Sequence, residues 1–491
     1  MTMMTIETLL KQPEGKTLEF KRDLSSPKKL MKTLVAFANT AGGKVIIGVD
    51  DKNRSPVGIA HPLDEEERLC SMIADAISPR LVPNVEMVTV ENKTLLVIEV
   101  FLSGTRPHWV KAEGPETGVY VRLGSTNRQA DRELIAELRR SVEGIAFDEL
   151  PMPDLTVADL DLAAMKTVFR GRHNLDEKEM LTLRLLTKDQ GRLVPTKGAV
   201  LICGKERSLH FPDAWVQCGR FIGRDKARIF DHIDLYDHLP QAVDGILLFL
   251  KKHAMRGADF SEVRRKDVWS IPLEILREVV INALVHADYS QRGAPIRVAF
   301  FDDRIEIENP GILLPGMTIE DMRRGVSKIR NHVIARIFRE LNLIEQWGSG
   351  IPRILREAEA LGLPDLQMEE IGMRVRVTVF LVEQIAATKS AEQVEAHDEA
   401  HDEAHEPMTE VEQVIMTACA HSPQSTPDLL RMLGYKSRTG NFKRALSRLL
   451  AMGLLEMTNP QKPRARNQRY RSTHSGEEVL RKAGQDKEST Q

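Results

Sequence analysis

The chain is short of the features that define several protein classes. Only four cysteines occur in 491 residues, Cys70, Cys203, Cys218 and Cys419, and no CxxC pair is among them. A disulfide framework is therefore excluded, and reduced thiols are expected. Aromatic residues reach 5%, beside 42% hydrophobic and 29% charged residues, a mixture that fits neither collagen-like nor wholly disordered chains. No apolar run approaches the 18 or so residues of a spanning helix, because the stretch Gly245 to Leu250 is closed by Lys251 and Lys252. The first residues, Met1 to Thr5, lack the basic-then-apolar layout of a secretion signal. A cytoplasmic protein without membrane contact is expected. Net charge is also missing: 69 Lys and Arg against 71 Asp and Glu leave −2, so the whole-chain charge carries no nucleic-acid signal.

What is present is length and internal contrast. At roughly 100–200 residues per domain, the chain predicts about three domains. Residues 1–135 mix helix and strand signals. Helical spacing runs from Lys28 to Asn39 and from Asp64 to Ile77, and strands are expected at Lys44–Val49 and Thr94–Phe101. Pro151-Met-Pro153 marks a break, and a second module spans 150–385, with helices at Leu239–His253 and Pro272–His286. A hairpin follows at Ile296–Phe301 and Arg304–Glu308, and a closing strand at Val375–Val382. Residues 386–407 hold an acidic repeat with His397, His401 and His405, read as a solvated linker rather than a metal site. Residues 408–475 resume helical patterning and are strongly basic: Arg431 to Arg471 holds eleven Lys and Arg against the single acid Glu456.

That basic segment reads as three short helices, a strand and a basic loop, the pattern of a winged helix-turn-helix. In its third helix Phe442, Leu446, Leu449 and Leu450 are placed to face a core. Arg438, Lys443, Arg444 and Arg448 then point outward, with Arg464, Arg466 and Arg469 in the wing. A helical protein-interaction domain is the alternative. In the middle module Glu278 and Asn282 stand four apart on one helix face, where a carboxylate can activate water and an amide can hold Mg²⁺. Asn309-Pro-Gly311 and Gly348-Ser-Gly350 add backbone amides suited to phosphate, and His286 is read as lining a pocket. Near the N-terminus Glu14, Glu19 and Asp50, with Lys21, are the material of a metal-dependent nuclease, although strand ends are ordinarily rich in acids.

Two resemblances extend these readings. Arg277-Glu-Val-Val-Ile-Asn-Ala-Leu-Val-His286, Asp303 to Gly311, Arg330-Asn331 and Glu345 to Ile351 resemble the GHKL-type ATP-binding module of bacterial RecG-like proteins and transcriptional regulators. The resemblance implies a layer of helices on a mixed sheet, ATP with Mg²⁺, Glu278 as general base and Asn282 as Mg²⁺ ligand. It places Asn309 at the adenine-reading position and Gly348 and Gly350 beside the phosphates. Asn309 replaces the usual aspartate and Ala287 a common arginine, which favours nucleotide binding over hydrolysis. Leu18-Glu-Phe-Lys21, Ala36 to Gly43, Ile47 to Asp50 and Val121 to Ser125 resemble the Schlafen-type, AlbA-like domain. That resemblance implies a nucleic-acid-binding fold, in which Glu14, Glu19 and Asp50 match the acids of the RNA-cleaving branch. Arg122, Ser125 and Asn127 serve phosphate contact or fold support.

The expected architecture is a multidomain α+β chain: an AlbA-like α/β domain, a GHKL-type α/β sandwich and a winged helix. The expected function is an ATP-binding, DNA-binding regulator gated by nucleotide and acting as a homo-oligomer. The alternatives are a metal-dependent endonuclease acting on RNA or DNA, with a defence role against phage, and an interaction protein with a degenerate nucleotide site.

Overall fold

The helix expected from Lys28 forms over Pro27–Asn39, with Pro27 in its first turn, where a missing N–H costs nothing. In the computed structural model the described residues are 6–50, 53–254, 256–259, 266–269, 271–344, 350–381, 410–434, 442, 445–446, 449–450, 453–458, 468–474, 476 and 481. They fall into two compact units, residues 1–388 and 389–491.

The first unit opens on a four-stranded sheet in the order Leu18–Lys21, Gly43–Ile47, Lys93–Val100, Asn84–Val90. The first two strands are parallel, with Leu18 opposite Lys44 and Lys21 opposite Ile47, so the helix Pro27–Asn39 is their crossover. Successive side chains leave a strand on opposite faces. Val45 and Ile47 join Leu34, Phe37 and Leu69 in one core, while Ile46 packs with Leu18, Phe20 and Leu95 in another. Both faces are thus covered. A hairpin, Tyr120–Leu123 with Thr126–Gln129, and the helix Arg132–Glu143 form a third small core around Val121, Leu134 and Leu138. Asp131 caps that helix by accepting from the Leu134 amide.

The same unit continues into a six-stranded sheet. Its order is Ile229–Leu235, Val216–Phe221, Ile296–Phe300, Arg304–Pro310, Arg374–Phe380, Gln367–Ile371. Only Val216–Phe221 and Ile296–Phe300 run parallel; the other pairs are antiparallel, including the hairpin in which Phe300 faces Ile305. Leu239–His253 and Leu273–His286 are helical, and both enter the large aliphatic core of this sheet. The second helix is apolar nearly all round, burying Ile275, Leu276, Val279, Val280, Ile281, Ala283, Leu284 and Val285. At about 1.5–3 kcal/mol per fully buried large aliphatic side chain, such a helix is held by its surroundings rather than by its own propensity.

In the second unit, helices Glu410–His421 and Thr426–Met432 accompany a three-stranded sheet in the order Gln424–Ser425, Arg469–Ser472, Leu455–Met457. Its core gathers Ile415, Met416, Leu429, Phe442, Leu449 and Tyr470, with Leu446 and Leu450 packed against it. The four residues expected to face inward do so. Cys203, Cys218 and Cys419 are buried free thiols and Cys70 is an exposed one, and burial pushes the first two up to about 12. Among the described residues no helix is long and apolar enough to cross a membrane.

Candidate nucleotide and nucleic-acid sites

On the otherwise apolar helix Leu273–His286, Glu278, Asn282 and His286 recur every four residues and so share one stripe. That stripe lines a cavity of about 470 Å³. Asn309, on the neighbouring strand, and Gly350, at the start of the helix Gly350–Ala360, line the same cavity, so five residues selected from the sequence converge there. Gly311 lies just outside it, with φ +100°, and a Cβ there would stand 2.9 Å from the Asp288 Cβ. Gly348 lies outside the described residues.

The polar groups of the stripe are engaged. Asn282 Nδ2 donates to Glu278 Oε1 at 3.0 Å, and Arg353 donates to Glu278 Oε2 at 3.0 Å. A Cβ on residue 350 would collide with Glu278 Oε1, so glycine there lets the backbone approach the carboxylate without displacing it. Asn309, 7% exposed, donates to the Pro310 carbonyl at 3.2 Å and to the His286 carbonyl at 3.4 Å. Burial, helped by the Arg330 charge, pushes the His286 imidazole down to about 4. Asn331, fully buried, donates to the Val285 and Ala287 carbonyls at 2.8 Å each and so closes the end of the stripe helix. Arg330, of the Arg330-Asn331 motif, brings a cation to the cavity wall, and so do Lys328 and Arg339, which no motif marks.

The segment 312–330 supplies more of the lining than the stripe helix does, and it is tied to the N-terminal sheet module at four points. Ile312 sits in the small core of Val121, Leu134 and Leu138. The Gly316 amide donates to the Thr40 carbonyl at 2.6 Å. Leu313 donates its amide to Glu370 Oε1 at 2.8 Å, and Lys16 grips the same carboxylate at 2.7 Å. Arg330 forms a buried ion pair with Glu137 of the helix Arg132–Glu143 and also bonds the Ile312 carbonyl. Asp148 adds a fifth tie just beyond the segment, accepting from the amides of His332, Val333 and Ile334 at 3.0, 2.7 and 2.9 Å.

In the N-terminal module the sequence-selected acids have separate partners. Glu14 accepts from the Phe20 amide at 2.8 Å. Glu19, 7% exposed, is paired with both Arg122 and Lys21. Asp50 meets Arg22 at 3.1 Å. Among the described residues no group of three His, Cys, Asp or Glu is placed to hold a metal ion. Arg122 is 1% exposed and spends its donors on Glu19, the Gly15 carbonyl and Asn127, so in this arrangement it supports the fold and presents no surface to a phosphate. Its amide donates to Thr40 Oγ1 at 2.9 Å, which makes Thr40 the residue shared by the Glu19 pair and the cavity wall.

In the C-terminal unit Arg469 is exposed and donates to the Pro423 carbonyl at 3.2 Å. Arg438, Lys443, Arg444, Arg448, Arg464 and Arg466 lie outside the described residues, as does the histidine repeat.

Comparison with known proteins agrees with two of the motif readings. Residues 14–131 match the family described as "Schlafen, AlbA_2", and residues 293–379 match "Putative ATP-dependent DNA helicase recG C-terminal". Residues 410–473 match "Filamentation induced by cAMP protein Fic-like, C-terminal domain". The Schlafen/AlbA and RecG-like resemblances therefore both hold; the winged-helix reading finds no such match. None of the curated proteins matches the chain. Among solved structures, the DIP2311 protein of Corynebacterium diphtheriae is 20% identical, with 97% of this chain and 94% of that one covered, at a TM-score of 0.41. The N-terminal domain of a "Putative ATP-dependent DNA Helicase RecG-related Protein" from Nitrosomonas europaea is 30% identical over 26% of this chain and 94% of its own, at 0.22. A Fic family protein from Desulfovibrio desulfuricans is 14% identical over 70% and 77%, at 0.13.

Proposed function

We propose that the chain is a nucleotide-responsive nucleic-acid-binding regulator, in which ATP in the 470 Å³ cavity adjusts the Schlafen/AlbA module. The observation that carries this reading is the cavity wall itself. Segment 312–330 lines the nucleotide cavity and is bonded, through Gly316, Leu313 and Arg330, to residues that hold the N-terminal module together. A ligand that moves the wall does work on Thr40, Lys16 and Glu137.

The donor set fits a nucleotide with Mg²⁺. Among the described lining residues Glu278 is the one carboxylate, and Asn282 is the amide beside it. Mg²⁺ in such sites takes one or two protein oxygens and completes its shell with phosphates and water. Asn309 would read the base through its amide, Lys328 and Arg339 would meet phosphate charge, and Ile307, Val375 and Val377 give the ring an apolar wall. Glu278, when freed from Arg353, would act as a base on water. The C-terminal unit, read as a winged helix, would grip nucleic acid through its basic face, with DNA as the expected partner.

The test is a titration of Mg-ATP into the protein and its Asn282→Ala variant, followed by DNA and RNA binding with and without nucleotide. Binding lost in the variant, together with a nucleotide-dependent change in nucleic-acid affinity, is expected. Equal ATP affinity in both proteins would refute the site. Cleavage of tRNA or plasmid that requires Glu19 would replace the regulator with the nuclease.

A further inference from the structure

A second cavity, of about 500 Å³, lies between the helix Arg132–Glu143 and the loop after His286. Four cations line it, Arg132, Arg140, Lys197 and Arg292, and none has an ion pair or side-chain hydrogen bond with another described residue. Two of them share one ring. The Lys197 ammonium lies 4.2 Å from the centroid of Phe147 and the Arg140 guanidinium carbon 5.5 Å from it. Both side chains are half-buried. Burial, and then the Arg140 charge, lower the Lys197 pKa.

No described acid is ion-paired with either Arg140 or Lys197, although the Arg140 charge is felt by Glu137. Glu137, three residues before Arg140, is bonded to Arg330. Asp288 turns one oxygen to the amide and hydroxyl of Ser290, and its other oxygen is buried without a partner. Glu133 and Asp213 line the cavity but pair with none of its cations. Two like charges held together in a partly dry cleft repel one another, and a bound anion removes that cost.

We propose that this cavity is a second ligand site, separate from the nucleotide cavity, that takes a phosphate group between Arg140 and Lys197. Phe147, Phe211 and Tyr289 give an apolar wall to whatever carries the phosphate, and the volume suits a ligand of mononucleotide size. The carrier is either a free phosphorylated metabolite or the phosphorylated end of a nucleic-acid strand.

Calorimetric titration of the full chain with pyrophosphate tests this without ATP. One binding step should disappear in Arg140→Gln and in Lys197→Gln, persist in Lys197→Arg, and persist in Asn282→Ala. Each variant's own melting curve provides the folding control: pyrophosphate should raise the melting temperature through this step in wild type, Lys197→Arg and Asn282→Ala only. Identical isotherms in wild type and both Gln variants would overturn the proposal, as would a step abolished by Asn282→Ala alone. A short oligonucleotide with and without a 5′-phosphate separates the sources: binding that requires the 5′-phosphate and Lys197 identifies a strand end, and binding of pyrophosphate alone identifies a metabolite.

Discussion

Replacing Glu137 by glutamine isolates the tie between the N-terminal module and the wall of the nucleotide cavity. Glu137 and Arg330 are 8% and 7% exposed, so their attraction is little screened. Without the carboxylate, Arg330 keeps the Ile312 carbonyl, and its Nε already has no partner. Breaking a buried pair by removing one partner costs about 3–5 kcal/mol; glutamine retains an acceptor, so about 2–3 kcal/mol is expected. Arg330→Met should cost about 3–5 kcal/mol by the same reasoning, since it strands the Glu137 carboxylate. The double variant should cost less than the sum by more than 1 kcal/mol, roughly, because the second change removes the charge that the first left stranded. Urea denaturation of the four proteins measures the cycle. Mg-ATP affinity is the second readout: a loosened wall should weaken it about tenfold in Glu137→Gln, although Glu137 does not line that cavity. Costs that add to within about 0.5 kcal/mol, or an unchanged ATP affinity, would refute the account.

Other perturbations separate binding from folding. Gly350→Ala should leave stability within about 1 kcal/mol of wild type, because the displaced atom is a side-chain end, yet it should weaken nucleotide binding by shifting Glu278 off Asn282 and Arg353. Calorimetry beside thermal melting checks both halves. Asp148→Ala should cost about 1–3 kcal/mol in urea denaturation, since three amides at the start of the helix His332–Glu340 lose their acceptor. His286 sets an acid limit. Its folded pKa of about 4 lies below the ordinary 6.5, so the stability linked to it is whole above pH 6.5 and is lost as pH falls through 4. That linked stability is at most roughly 3 kcal/mol, and His286→Asn should flatten the pH-dependence in this window. A flat wild-type profile between pH 6.5 and 4 would contradict it.

The elements were legible where the signal is local. Helical spacing placed Leu239–His253 with both of its ends, and alternation placed the hairpin at Phe300 and Ile305. Glu278, Asn282 and His286 were legible for the same reason, since a period near four on an apolar helix depends on neighbouring residues alone. Their companions were not. Lys328 and Arg339 reach the cavity, and Arg353 reaches Glu278, from segments dozens of residues later, and no pattern within their own segments marks them as lining or gripping anything.

The sequence by itself determined two of the modules, the Schlafen/AlbA-like and the RecG-like one, because motif residues are properties of short stretches. It also showed that a near-neutral total hides a basic C-terminal segment. Only the tertiary structure decided how the polar residues are used. Glu19 and Arg122, 103 positions apart, become partners because folding sets a strand of the four-stranded sheet beside a strand of the separate hairpin. In the same way Thr40, at a helix end within the Ala36 to Gly43 motif, joins that pair to the nucleotide wall. Such pairings depend on distances that the chain acquires only on folding, and the scarcity of aromatics, cysteines and net charge gave no hint of them.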